Sequence, residues 1–65
     1  MMLRISLEER KGYIAEAALG IFVKKGYKTA SLQEIAEKVE ITKAGIYHYF
    51  KTKEEILYYI LVSNN

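Results

Sequence analysis

The pattern Ser/Thr-x-x-Glu occurs three times in this chain of 65 residues, each time ahead of an apolar helical period. The three sites are Ser6-Leu7-Glu8-Glu9, Ser31-Leu32-Gln33-Glu34 and Thr52-Lys53-Glu54-Glu55. In such a box the hydroxyl accepts the amide three residues on, and the glutamate reaches back to the amide of the cap. Each box therefore marks a helix start. Proline is absent and all eight acids are Glu, so the two residue types that most oppose helix interiors, Pro and Asp, are missing. With 51% hydrophobic residues the chain is expected to fold, as one all-α domain spanning 1–65. Its single core is worth about 3–5 kcal/mol. There is no cysteine for a disulfide, which fits a reducing cytoplasm. No run of about 20 apolar residues is present to span a membrane, and no secretory leader pattern is visible.

Helix one is expected over about 7–25, with Ile14, Ala17, Ala18, Ile21 and Phe22 forming a core stripe. Lys24 and Lys25 suit its C-terminal dipole, and Gly26 suits the left-handed position after it. Gly20, inside this helix, reads as a site of close helix approach. Helix two is expected over about 32–39, with Leu32, Ile35, Ala36 and Val39 on one narrow face. Glu40 and Ile41 make a tight turn, and Thr42 is an N-cap without a glutamate partner. Helix three is short, about 43–50, with Ile46 and Phe50 facing inward. On its far side lie Ala44 and His48, flanked by Tyr47, Lys51 and Gly45, with no acid among them. Helix four starts at about 53 and is apolar or aromatic at every position from Ile56 to Val62. Ile56, Leu57, Ile60 and Leu61 are expected to pack, leaving Tyr58, Tyr59 and Val62 uncovered.

Helices two and three with the turn between them form a helix-turn-helix, with Ala36 small where the helices cross. In such a unit the second helix enters the major groove of DNA. The net charge of +2 is too small to argue for nucleic acid, but its distribution is suggestive. Lys24, Lys25 and Lys28 lie in an acid-free window between Glu16 and Glu34. Lys43, Lys51 and Lys53 lie in another, between Glu40 and Glu54. These windows bear on function only if folding joins them on one surface. Taken alone, each is a solvated face.

The run Ile14-Ala15-Glu16-Ala17-Ala18-Leu19-Gly20-Ile21-Phe22 with Lys25-Gly26-Tyr27 resembles the first helix of the TetR family of transcriptional regulators. Ser31 to Val39 resembles the second helix of that family. Ile41 to Leu57, with its segment Ile46-Tyr47-His48-Tyr49-Phe50-Lys51-Thr52-Lys53-Glu54-Glu55, resembles its recognition helix and the start of its fourth helix. The resemblance covers roughly 10–62. It implies a three-helix bundle containing a homeodomain-like helix-turn-helix, plus the start of a fourth helix. Many family members have Gly where this chain has Glu40, a departure that puts a residue with a Cβ in a turn favouring positive φ.

By resemblance, Thr42, Lys43, Ala44, Gly45, Tyr47 and His48 match the DNA-contacting recognition segment. Ser31, Tyr47, Tyr49 and Lys53 match positions that hold phosphates. Helix N-termini at Ser31 and Thr42 would offer amides to phosphate, and lysine would add salt-dependent affinity. Lys43 and His48 would read bases, with Ala44 touching a thymine methyl. The plainer reading of Tyr47 and Tyr49 is packing, and of Ser31 and Thr42 simple capping. Capping and phosphate contact are compatible, because a hydroxyl both donates and accepts.

The family resemblance further implies a dimer on a pseudo-palindromic double-stranded operator in the bacterial or archaeal cytoplasm. A small-molecule effector would act through a C-terminal domain, so this chain reads as a truncated DNA-binding domain. Its uncovered apolar last turn supports that expectation. No enzyme constellation is present: there is no Cys and no Asp, a lone His, and no glycine-rich phosphate loop. No metal or cofactor is expected. The competing class is a helical protein-interaction module, for which an acid-free exposed helix would be unnecessary.

Overall fold

The computed structural model describes residues 7–63. The chain forms α1 (Leu7–Lys25), α2 (Leu32–Lys38), α3 (Lys43–Tyr49) and α4 (Lys53–Ser63). α1 packs on α2 and α4, and α2 packs on α3. Each helix buries one isoleucine almost completely: Ile14, Ile35, Ile46 and Ile56 are at most 1% exposed. They share one cluster with Ala18, Phe22, Ala36, Val39 and Phe50. Ala15 is buried as well, although its position lies off the stripe read from the sequence.

The caps are as local as the sequence chemistry requires. The Ser31 hydroxyl accepts the Glu34 amide at 3.2 Å, and Glu34 accepts the Ser31 amide at 3.1 Å, closing a full capping box. The Lys25 ammonium, the largest influence, and the Ser31 amide and hydroxyl hold the Glu34 carboxyl below its ordinary value against a smaller opposing effect of burial. At α4 only half the expected box forms. Thr52 Oγ1 accepts the Glu55 amide at 3.1 Å, but the Glu55 carboxylate takes the amide of Lys51 at 2.7 Å. That amide follows the extended cap residue Phe50 and has no helical partner of its own. Ser6, the first hydroxyl of the three, lies outside the described residues.

α1 ends as its composition suggests. Gly26 has φ 93°, and its amide bonds to Phe22 O at 2.9 Å. α2 ends in a tighter turn. The Ile41 amide reaches Ala36 O at 3.0 Å and the Glu40 amide reaches Glu37 O at 3.2 Å. This pair of bonds is the Schellman arrangement, which places its next-to-last residue in the left-handed region. That residue is Glu40, with φ 62°.

Two expectations about packing are corrected. Gly20 is exposed, and a Cβ there would meet nothing within 4 Å, so no helix approaches it. On α4, Tyr59 is covered and Leu61 is not. Tyr59 stacks edge-to-face on Phe50 at 5.6 Å, while Leu61 is 65% exposed beside exposed Tyr58 and Val62. The reason is the phase of the helix. Ile56, Tyr59, Ile60 and Ser63 form the i, i+3, i+4, i+7 row, and its latter part faces α1. The Lys11 ammonium, 5.6 Å from the Phe50 ring and 6.0 Å from Tyr59, sits over the same seam.

Two outcomes follow from this packing. Ile46→Ala removes about 2–5 kcal/mol from a core worth about 3–5 kcal/mol. Far-UV circular dichroism of this variant at 25 °C should show most of the helical signal lost, and a transition close to that of the parent contradicts the single shared core. Glu40→Gly relieves a left-handed Cβ conformation and should add about 1 kcal/mol. The melting temperature should rise by about 4–8 °C; one that falls or stays level contradicts strain at Glu40.

Candidate nucleic-acid interface

The phase of α3 is fixed by burial. Ile46 is fully buried and Phe50, its cap, is 3% exposed, so both anchor one side of the helix. Lys43, Ala44, Tyr47 and His48 are then exposed on the other sides, together with the cap Thr42. Gly45 is half-buried, and a methyl there would rest on Thr42 Oγ1 and Ile41 Cδ1 at ordinary contact distances of 3.4 and 3.5 Å. The turn would therefore accept a methyl at this position. Thr42 Oγ1 accepts the Gly45 amide at 3.0 Å, leaving the hydroxyl proton to donate outward.

His48 stands edge-on to Tyr49 with ring centroids 5.4 Å apart. Tyr49 is half-buried and packs against the core, whereas Tyr47 is 42% exposed. The Lys51 ammonium donates to Tyr47 O at 3.2 Å, satisfying a terminal carbonyl of α3. No carboxylate belongs to α3 itself, so the helix presents lysine, imidazole, phenol and small residues. Ser31 is exposed at the start of α2.

Lys53 is engaged elsewhere in the fold. Its ammonium donates to Tyr27 O at 2.6 Å, Ala30 O at 2.9 Å and Lys28 O at 3.0 Å. An ammonium has three protons, so these three carbonyls take its full donor capacity. The same nitrogen lies 4.6 Å from the Tyr27 ring centroid, in cation–π range. Tyr27 itself packs edge-to-face on Phe22 at 5.0 Å. Its phenol is raised above the usual tyrosine value, first by burial and then by the charge of Glu54. The ammonium that the resemblance matches to a phosphate contact is thus bonded within the fold. Sequence reasoning missed this tether, although a lysine in the first turn of a helix opposes the dipole and so signals a particular partner.

The two acid-free windows meet at this tether, since Lys53 of one grips the backbone of Tyr27 and Lys28 in the other. Within the first window Lys25 is neutralised by an ion pair to Glu34, while Lys24 and Lys28 are exposed. Among the described residues no group of three or more His, Cys, Asp or Glu is placed to hold a metal. No described helix is long and apolar enough to cross a membrane.

Known proteins share this pattern. The family model for bacterial regulatory proteins of the tetR family matches residues 14–60. The HTH-type regulator YuxN of Bacillus subtilis, itself uncharacterised, is 43% identical over 51 residues, covering 78% of this chain and 18% of that protein. The HTH-type transcriptional regulator SrpR of Pseudomonas putida is 39% identical, covering 86% of this chain and 26% of that protein. The HTH-type transcriptional activator FasR of Mycolicibacterium smegmatis is 34% identical, covering 89% and 26%. The chain thus spans between 18% and 26% of these relatives' lengths. No solved structure gives a significant match. The matched region holds all of α2 and α3, the turn between them and most of α1 and α4; the chain belongs to the tetR family of bacterial regulatory proteins, a family of regulators and not of enzymes.

Proposed function

We propose that this chain is the DNA-reading domain of a transcriptional regulator, placing α3 in the major groove of double-stranded DNA. The observation that carries the reading is the face of α3 opposite buried Ile46: exposed Lys43, Ala44, Tyr47 and His48, with no acid on the helix. A groove roughly 12 Å wide admits one helix, and its phosphate rims repel carboxylates. Family membership and the printed roles of SrpR and FasR support the same reading.

In this proposal Lys43 and His48 meet base edges, and Ala44 and Gly45 let the helix approach closely. Thr42, Ser31, Tyr47 and Tyr49 hold phosphates, the Thr42 and Ser31 hydroxyls donating while they cap. The whole regulator would act in the bacterial cytoplasm as a homodimer on a pseudo-palindromic operator, with half-sites about one turn apart. It would repress by occupying that operator and be released when a small effector favours a dimer spacing that no longer fits the DNA. Dimer and effector contacts would lie in sequence beyond these 65 residues. A reporter placed behind the operator should rise when the regulator is deleted; a fall would make it an activator, the role that FasR carries by name.

The binding reading is tested with the 65-residue chain and duplexes selected from a random pool. Affinity should weaken as salt is raised from about 50 to 200 mM, because phosphate contact releases counterions. Affinity indifferent to salt overturns it. Lys43→Ala or His48→Ala should change the sequences recovered and cost about 1–3 kcal/mol on the parent's preferred duplex; an unchanged selection with unchanged affinity removes these two from base reading.

A further inference from the structure

The Lys53 ammonium joins two places that are 23 to 26 residues apart in sequence. On one side are the carbonyls of the α1–α2 connection, and on the other is the first residue of α4. Between them lies α2, the Schellman turn and α3, which is the entire helix-turn-helix. The tether therefore closes a loop around that unit at its base. From these contacts we propose that Lys53 is a positioning residue for DNA binding, and that it holds the helix-turn-helix from both ends instead of contacting phosphate.

The surroundings of the ammonium argue this together with the hydrogen bonds themselves. The nitrogen is enclosed on a further side by the Tyr27 ring, which is wedged against Phe22 of the core. Lys53 is half-buried, unlike exposed Lys24, Lys28, Lys43 and Lys51. A carbonyl cluster this convergent needs a compact donor of three protons, which an ammonium is and a planar guanidinium is not. Taking phosphate instead would strip at least one carbonyl of its partner. The Lys25–Glu34 ion pair joins the last residue of α1 to the first turn of α2, and the connection between them ends in the Ser31 box with Glu34. Movement of the connection would therefore carry α2, and with it the packed α3.

This inference rests on the DNA-binding reading, and the experiment separates the two. The 65-residue chain and its Lys53→Met variant are titrated with a selected duplex at several salt concentrations, where circular dichroism shows both fully folded. The variant should bind about tenfold more weakly, as expected from losing of order one charge-assisted hydrogen bond of organisation. Its slope of log affinity against log salt should equal the parent's. The amides of Thr29 and Ala30, bonded to Gly26 O, should exchange faster with solvent. A slope shallower by about 0.9 with unchanged loop exchange means a lost phosphate contact and overturns the proposal. Lowered stability with intact affinity overturns it too, since the role would then be structural only. A variant that does not fold leaves the decision to the parent chain. There the nitrogen-15 resonance of the Lys53 ammonium should be protected from solvent and should not move on saturation with duplex; a shift overturns the assignment. A parent whose duplex binding is indifferent to salt removes the DNA reading and the positioning role with it, while loop exchange still reports whether the tether exists.

Discussion

Four isoleucines, one per helix, converge on one small core, and the rest of the molecule is arranged around that convergence. Ile14, Ile35, Ile46 and Ile56 are each almost wholly removed from water. At about 25 cal/mol per Å² of apolar surface, burial of such side chains is the main favourable contribution available to a chain of this length. No disulfide supplements it. Satisfying all four at once fixes the rotation of every helix about its own axis. For α3, only seven residues long, it leaves little freedom. Once Ile46 and Phe50 are inside, Lys43, Ala44, Tyr47 and His48 have nowhere to go but outward. The proposed DNA-reading face is thus a by-product of core packing, and its chemistry is what the remaining positions of the helix carry.

The turn before α3 sets how it is presented. Its two reverse hydrogen bonds close α2 and bring Ile41 against the core, at the cost of a glutamate in a left-handed conformation. The Thr42 hydroxyl then starts α3 without a gap. Below this unit, the Lys53 tether fastens the α1–α2 connection, and the Lys25–Glu34 pair bridges the end of α1 to the first turn of α2. The apolar core supplies cohesion, while these polar contacts supply direction. Such a division suits a small domain that has to present a short helix in one orientation.

What was readable in the sequence follows from how local each interaction is. The Ser31 box, the Thr42 cap and the Gly26 terminus each involve residues within four positions, so residue type and spacing announced them. The all-α class and the helix-turn-helix were legible for the same reason, and the inward side of α3 followed from two apolar residues four apart. The phase of α4 was not legible, because a helix apolar all round carries no period; contact with α1 and Phe50 chose Tyr59 over Leu61. The half-formed Thr52 box failed locally, because the Lys51 amide competes for the Glu55 carboxylate. The Lys53 tether was hidden for a different reason. Its acceptors are backbone carbonyls, which every residue has, so nothing in the side chains of Tyr27, Lys28 or Ala30 marks them.

The outward face of α3 is the proposed contact with DNA. That contact can be observed by amide chemical-shift mapping of the nitrogen-15 labelled chain against a duplex selected for binding. The largest changes should fall over Thr42 to His48, with a second group at Ser31 and none over Tyr58 to Val62. Changes centred on the outer end of α4, or spread evenly with α3 unmoved, would contradict it.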